Sequence, residues 1–344
     1  MRNAASLLML ALLIGAGFAA NAWLTREMRE PGPDATAVRI DIEPGSTVRA
    51  VLLKLGASGV LDSPRAVETY LRFHARQPQI KAGRYEIPPR ATPEQILRLL
   101  ESGAVVLEQL TVVEGTTFAQ FRRTLEQHPA VRAILRGKSD AQVMIAIGHA
   151  AEPPEGRFFP DTYRFAAHTT DVEILKLAYA RMQRLLDEAW QSRSADLPIR
   201  TSTEALILAS LIEKETAQPA ERREIAGVFI ARLRLGMRLQ SDPTVIYGLG
   251  EQYDGDIRTR DLTTDTPYNT YTRSGLPPTP IALPGRESVL AAVHPTETGA
   301  LYFVATGDGS GAHHFSKTLE EHNEAVKRYL ARLRQGSSKP AGGS

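Results

Sequence analysis

The chain has no cysteine among its 344 residues. Disulfides, thiolate nucleophiles and cysteine metal sites are thereby excluded. Net charge is nearly absent too: 41 Lys and Arg against 39 Asp and Glu leave a formal +2. That balance has no nucleic-acid footprint, so no nucleic-acid partner is expected. No glycine loop has phosphate-binding spacing, and no His-Glu-x-x-His zinc pair occurs. No serine stands in a nucleophile elbow. His313, His314 and His322 read as a hairpin and a helix surface rather than a metal set. Neither metal nor cofactor is expected. What remains is an ordinary folded composition, 42% hydrophobic and 23% charged, with length for two or three domains.

One long uncharged run is present, Ala4 to Leu24. It is long enough to cross the roughly 30 Å hydrocarbon core of a bilayer. Arg2 before it, against a mixed-charge flank at Arg26 to Glu30, favours a cytoplasmic N-terminus. The rival is a cleaved signal peptide, since Ala20-Asn21-Ala22 resembles a small-residue cleavage site. An uncleaved anchor is preferred, because the apolar run continues through Trp23 and Leu24. Either way the remainder is exported.

Residues 1–25 are thus read as anchor and 26–37 as linker, the latter containing the turn-rich stretch Glu30 to Thr36. Val38–Ile42 and Gly83–Ile87 alternate like strands. Helices are expected from Ser46 or Thr47 to Leu55, Ser63 to Arg72 and Thr92 to Leu100. A weak internal echo joins Ile42-Glu43-Pro44-Gly45-Ser46-Thr47 to Val113-Glu114-Gly115-Thr116-Thr117: strand, glycine turn, amphipathic helix. Further helices are expected near Phe118–Gln127, Ala141–Ile147 and Thr170–Trp190. A shaped loop of turn formers and aromatics covers Pro154 to Tyr163. Gln240 to Thr244 reads as a polar turn, Leu301–Val304 as a strand, Leu319–Leu333 as a last helix, and residues 335–344 as a disordered tail.

The stretch from Thr203 to Tyr247 organises the rest. Thr201 and Glu204 form a capping box for a helix apolar on almost every side, from Ala205 to Ile212. A helix of this kind is buried all round. It stops on Glu213, Lys214, Glu215 and Thr216. A carboxylate is therefore placed at the mouth of a dry helix. The negative end of the helix dipole and the apolar surroundings both disfavour its charged form, as a general acid requires. Glu213 and Glu215 lie about 200° apart around the helix, so one enters a cleft and the other is solvated or paired. Pro219 opens a second helix to Leu235, with Gly236 as its C-cap. Carboxylates among polar and aromatic loops suit carbohydrate chemistry.

Long blocks of this sequence resemble the endolytic murein transglycosylases, the MltG (YceG-like) family. They are Ala209 to Thr216, Phe229 to Tyr247, Phe158-x-Pro160-Asp161-Thr162-Tyr163, Tyr268-Asn269-Thr270-Tyr271, Gly275-Leu276-Pro277-Pro278, Tyr302-Phe303-Val304, His313-x-Phe315 and His322-Asn323. The resemblance implies an α+β protein of the cell inner membrane with a single N-terminal transmembrane helix. It implies a small LysM-like α/β subdomain at 38–105 and a larger mixed α+β catalytic domain, 106–334, in the periplasm. The implied partner is the glycan strand of peptidoglycan, with penicillin-binding synthases as further partners.

On this resemblance Glu213 matches the family's catalytic glutamate. Gln240, Asp242, Thr244, Tyr247, Asn269 and His313 match polar positions expected to line the cleft. The implied reaction is non-hydrolytic cleavage of the MurNAc-GlcNAc β-1,4 bond within the strand, leaving 1,6-anhydro-MurNAc ends. Two rivals are a muramidase, with Asp242 or Asp161 activating water, and a non-enzymatic anchored scaffold that binds glycan.

Overall fold

The computed structural model describes residues 2–337. It opens with α1, Arg2–Glu27, of which Ser6–Glu27 contains an 18-residue window of mean hydropathy 2.0 and is long enough to cross a membrane. Two compact units follow from the pattern of contacts: residues 1–110 with 128–132 and 164–170, and the remainder.

The first unit continues with β1 (Val38–Ile42), α2 (Val48–Ala57), α3 (Pro64–Phe73), β2 (Gly83–Ile87) and α4 (Pro93–Ser102). Strands β1 and β2 pair antiparallel, Val38 opposite Ile87 and Ile42 opposite Gly83. The sheet's inner face and the helices bury Ile40, Ile42, Leu52, Leu55, Tyr85, Ile87 and Leu97 in one core. Helix starts follow the sequence signals. The Thr47 hydroxyl accepts from the Ala50 N–H, and Thr92 and Gln95 close a full capping box. The segment read as a linker is held to this unit: Glu94 N–H donates to Met28 O, Gly32 N–H to Ala91 O, and Arg90 N–H to Asp34 O.

The chain passes between the units in β3 (Leu107–Thr111), which pairs with the later strand β4. The second unit carries α5 (Phe118–Gln127) and α6 (Asp140–Ile147), after which β4 (Thr162–Ala166) leads into α7 (Asp171–Gln191), α8 (Ser202–Glu215) and α9 (Arg222–Arg234). It ends with α10 (Asp242–Leu249), α11 (Thr259–Thr263), α12 (Arg286–Val293), the β5–β6 hairpin (Tyr302–Ala305 and His313–Ser316) and α13 (Leu319–Ser337). As its composition requires, α8 is the centre: Ala205 to Ile212 are all buried, among side chains from α7, α9 and α12. The one polar group in that run, Ser210, gives its hydroxyl to Ile207 O at 2.7 Å and accepts Ile281 N–H at 3.0 Å, so it carries no unpaired polarity. At Gly227 of α9, a Cβ would come within 2.1 Å of Thr296 O, so only glycine permits this crossing.

Four readings are corrected. The Gln240–Thr244 turn is the entrance to α10: Pro243 stands in its first turn, where a proline mimics a turn yet suits a helix start. Helix α12, inside a region read as loop, has no side-chain cap and buries Val289, Ala291, Ala292 and Val293 in the core shared with α8. The capping box of α8 is half formed. Thr201 accepts from Glu204 N–H, but the Glu204 carboxylate turns to Arg200 N–H. Finally, α13 continues to Ser337; residues 338–344 of the expected tail lie outside the described residues.

Candidate active site

The two glutamates that end α8 go to different places. Glu213 has a side chain only 5% exposed, set against the Arg222 guanidinium of α9 at 3.3 Å. Its other oxygen accepts the Gly285 N–H at 2.9 Å, just before α12. Arg222 also stands 3.7 Å from Glu114, and burial beside Glu213 raises the pKa of Glu114. Lys214 donates to Gly115 O. Glu213 is therefore enclosed and charge-paired, not aimed into a cleft as the sequence reading expected. The reason is the step of about 200° between the two acids, which turns Glu213 onto the packed face of α9 and α12.

Glu215 takes the position expected of Glu213. It lines a groove of about 450 Å³, within the range of ligand sites. Its Oε1 accepts the Ser241 hydroxyl. Burial, with Asp242 nearby, pushes its pKa up to about 7, against the opposing pull of Ser241 and Arg232. A carboxyl group titrating there can hold a proton near neutrality and return it.

Around this acid, α9 supplies Arg232, its connection to α10 supplies Leu239 and Gln240, and α10 itself opens with Asp242. The Tyr268–Tyr271 turn supplies Tyr271, whose hydroxyl donates to Asp242 at 2.5 Å. The opposite wall is Tyr302 and Phe303 from β5 with Leu319, His322 and Asn323 from α13. Arg232 is buried, with its Nε donating to Leu301 O at 2.7 Å and Nη1 to Leu239 O at 2.8 Å. Its guanidinium lies 5.2 Å from the Tyr302 ring centre, and that ring stacks on His322. Burial and Arg232 together lower the His322 pKa, so the imidazole is neutral near pH 7.

Of the expected cleft residues, Gln240 and Asp242 line the groove. Thr244 and Asn269 lie beneath it. Thr244 is fully buried, donating to Ser241 O and sharing a hydrogen bond with Thr270. Asn269 ties its turn together, donating to Asp261 O, Leu262 O and Thr264 O and accepting from Tyr271 N–H. Tyr247 and His313 are engaged elsewhere: the Tyr247 hydroxyl donates to Glu155, and His313 pairs with Glu221 at 2.8 Å. Asp161 is paired with Arg181. Sequence reasoning left open which of Glu213 and Glu215 enters the cleft, and it missed Arg232, Tyr271, Tyr302 and His322 as groove residues. The aromatic and His-Asn blocks were visible signals, but which of their side chains face one groove depends on the tertiary packing.

A mixed α+β protein with an apolar N-terminal helix, built on a buried helix that delivers an acid to a polar, aromatic-walled groove, is the class this architecture defines. The comparisons with known proteins narrow it. The model of the YceG-like family matches residues 40–328, and the chain belongs to that family. Among similar proteins is the endolytic murein transglycosylase of Bacillus subtilis, 33% identical over 313 residues and covering 86% of each chain. The protein of the same name from Streptococcus pneumoniae D39 is 27% identical over 326 residues, covering 85% of this chain and 58% of that one. A crystal structure of a YceG-like protein from Listeria monocytogenes aligns with a TM-score of 0.50 at 28% identity, covering 84% of this chain and 99% of that one.

Proposed function

We propose that this protein is an endolytic peptidoglycan lytic transglycosylase in which Glu215 serves first as acid and then as base. The observation carrying the mechanism is Glu215 itself, largely buried in the polar groove with its pKa pushed up to about 7. Protonated Glu215 donates to the oxygen linking MurNAc to GlcNAc, and the C1–O bond breaks through an oxocarbenium-like state. The carboxylate so formed takes the proton of the muramyl C6 hydroxyl. The C6 oxygen attacks C1 and closes the 1,6-anhydro ring. One proton leaves and returns, no water is consumed, and no second carboxylate at the retaining spacing of roughly 5 Å is needed. Acid–base help of this kind is worth about 10²–10⁴ in rate. Tyr271, Gln240 and Asn323 are the groove's candidates for holding sugar hydroxyl and acetamido groups, with Tyr302 a face for a ring.

The family name carried by the relatives supports the substrate class. The apolar α1 supports a single-pass anchor, and Arg2 supports a cytoplasmic N-terminus with a periplasmic catalytic unit at the inner membrane. The β-α-α-β order of the first unit supports the LysM-like reading and glycan binding there. Penicillin-binding synthases are proposed as further partners. The deciding experiment is digestion of isolated glycan strands followed by mass analysis of the ends. Anhydro ends made by the native chain and by Glu213→Gln, but not by a folded Glu215→Gln, are expected. Retained activity in Glu215→Gln would overturn the assignment. Because Asp242 shares the groove with Glu215, a hydrolytic muramidase is the second reading, and ends heavier by one water would establish it.

A further inference from the structure

The far end of α1 is fastened into the first unit, and the fastening sets that unit's depth against a bilayer. We propose that the corner at the end of α3, residues 72–76 with exposed Phe73 at its tip, rests on the surface of the phospholipid bilayer that α1 enters. The inference depends on α1 spanning a membrane, and its test separates the two.

Leu24 and Met28 are buried, 4% and 2% exposed, with Met28 in the core that holds Val67 and Leu71 of α3. The backbone bonds of Met28, Gly32 and Asp34 to the unit leave no free linker between membrane helix and unit. Asn21 lies inside the apolar run, three residues before Leu24, or about 4.5 Å along the axis at 1.5 Å per residue. Its Oδ1 accepts from His74 Nε2 at 3.0 Å. That bond gives a partner to an amide otherwise costly in hydrocarbon. It also brings the end of α3 to the level of the last apolar turn. If the run from Ala4 fills the roughly 30 Å hydrocarbon core, His74 stands at the boundary between acyl chains and headgroups.

What surrounds it has the chemistry of that boundary. Phe73 is 61% exposed and Trp23 is 54% exposed. Both are apolar side chains a water-facing surface does not need, and aromatic rings collect at bilayer interfaces. The corner reads Arg72-Phe73-His74-Ala75-Arg76, so a cation stands on either side of the ring, Arg76 held by Glu101 at 2.9 Å and Arg72 turned outward toward the proposed level of the lipid phosphates. Arg72 pairs with Glu68 yet keeps 73% of its side chain exposed. Among the described residues the one recorded ring contact of Phe73 is a T-shaped one with His74.

The cysteine-free chain makes the test direct. The full-length protein is given one spin label at Phe18→Cys, within the span, at Phe73→Cys, or at Gln77→Cys, and placed in phosphatidylcholine–phosphatidylglycerol nanodiscs. At residues 18 and 73, collisions with oxygen should exceed those with a water-soluble nickel complex, with residue 73 the shallower. Adding Phe73→Glu should raise nickel accessibility at residue 77 severalfold, a change the label's own affinity for lipid cannot imitate. Full nickel accessibility at 73 with 18 shielded overturns the docking and leaves the anchor standing, as does equal accessibility at 77 in both backgrounds. Water exposure at 18 removes the anchor and the docking together.

Discussion

Ser241 donates its hydroxyl to Glu215 Oε1, while its own N–H donates to the Thr270 hydroxyl at 2.9 Å. The acid is therefore held by a side chain whose backbone is fixed from the Tyr268–Tyr271 turn. This relation makes the titration of Glu215 adjustable from two sides.

Activity is expected to fall as pH rises through about 7, because the first step needs protonated Glu215. The Ser241 hydrogen bond favours the charged carboxylate, so Ser241→Ala moves the alkaline limb of kcat/KM to higher pH. Asp242→Asn removes a neighbouring negative charge and moves the limb to lower pH. Opposite shifts in the two profiles, measured on glycan strands, are the expected outcome; shifts of the same sign would contradict the arrangement.

Arg222 and Glu213 should matter to folding. Arg222→Ala leaves an enclosed carboxylate with only the Gly285 N–H as partner, which should cost about 3–5 kcal/mol in urea unfolding. Glu213→Gln keeps an oxygen for Gly285, so its loss should be smaller and its products unchanged.

Asn269→Ala removes three donated bonds and the acceptor for Tyr271 N–H. Released from that turn, Tyr271 no longer holds Asp242, and kcat should drop by up to about 10² for a misplacement near 1 Å. Unfolding should begin earlier, with a cost of about 1–3 kcal/mol for groups left unpaired.

Glu155 predicts how stability depends on pH. It accepts Phe118 N–H and the Tyr247 hydroxyl, and burial raises its pKa to about 7 from the ordinary 4.5. A carboxyl group raised in the folded state binds its proton more tightly there. Its contribution is therefore complete below about 4.5 and is lost as pH rises to 7. Glu155→Gln should flatten that decline, on the order of 3 kcal/mol. Glu215 slopes the same way, so the comparison is best made in a Glu215→Gln background. An unchanged slope in urea titrations from pH 4.5 to 7.5 would contradict it.

Much of this was legible from local chemistry. The runs at 38–42 and 83–87 alternate, and they are strands. The run 205–212 is apolar on all sides, and it is enclosed. The 200° between Glu213 and Glu215 announced that one would be paired and one presented to a cleft. Which did which was not legible, because the deciding groups are Arg222, Gly285 and Ser241. Their approach to α8 is set by packing among α9, α10 and α12. The same distance in sequence hid α12 and made Thr244 and Asn269 look like ligands. Polar residues that hold a turn from beneath carry the same letters as those that face a substrate.

Arg232 has a consequence for how a sugar chain is admitted. Its Nε reaches Leu301 O beside β5, and its Nη1 reaches Leu239 O beside α10, so one flat cation rivets the two banks of the channel at a set width. Banks held at a set width would leave little ordering entropy to be lost when a stiff polysaccharide binds between them. A lysine there would preserve the positive charge and forfeit the span, because a single ammonium cannot brace both banks with the rigid fork of a guanidinium.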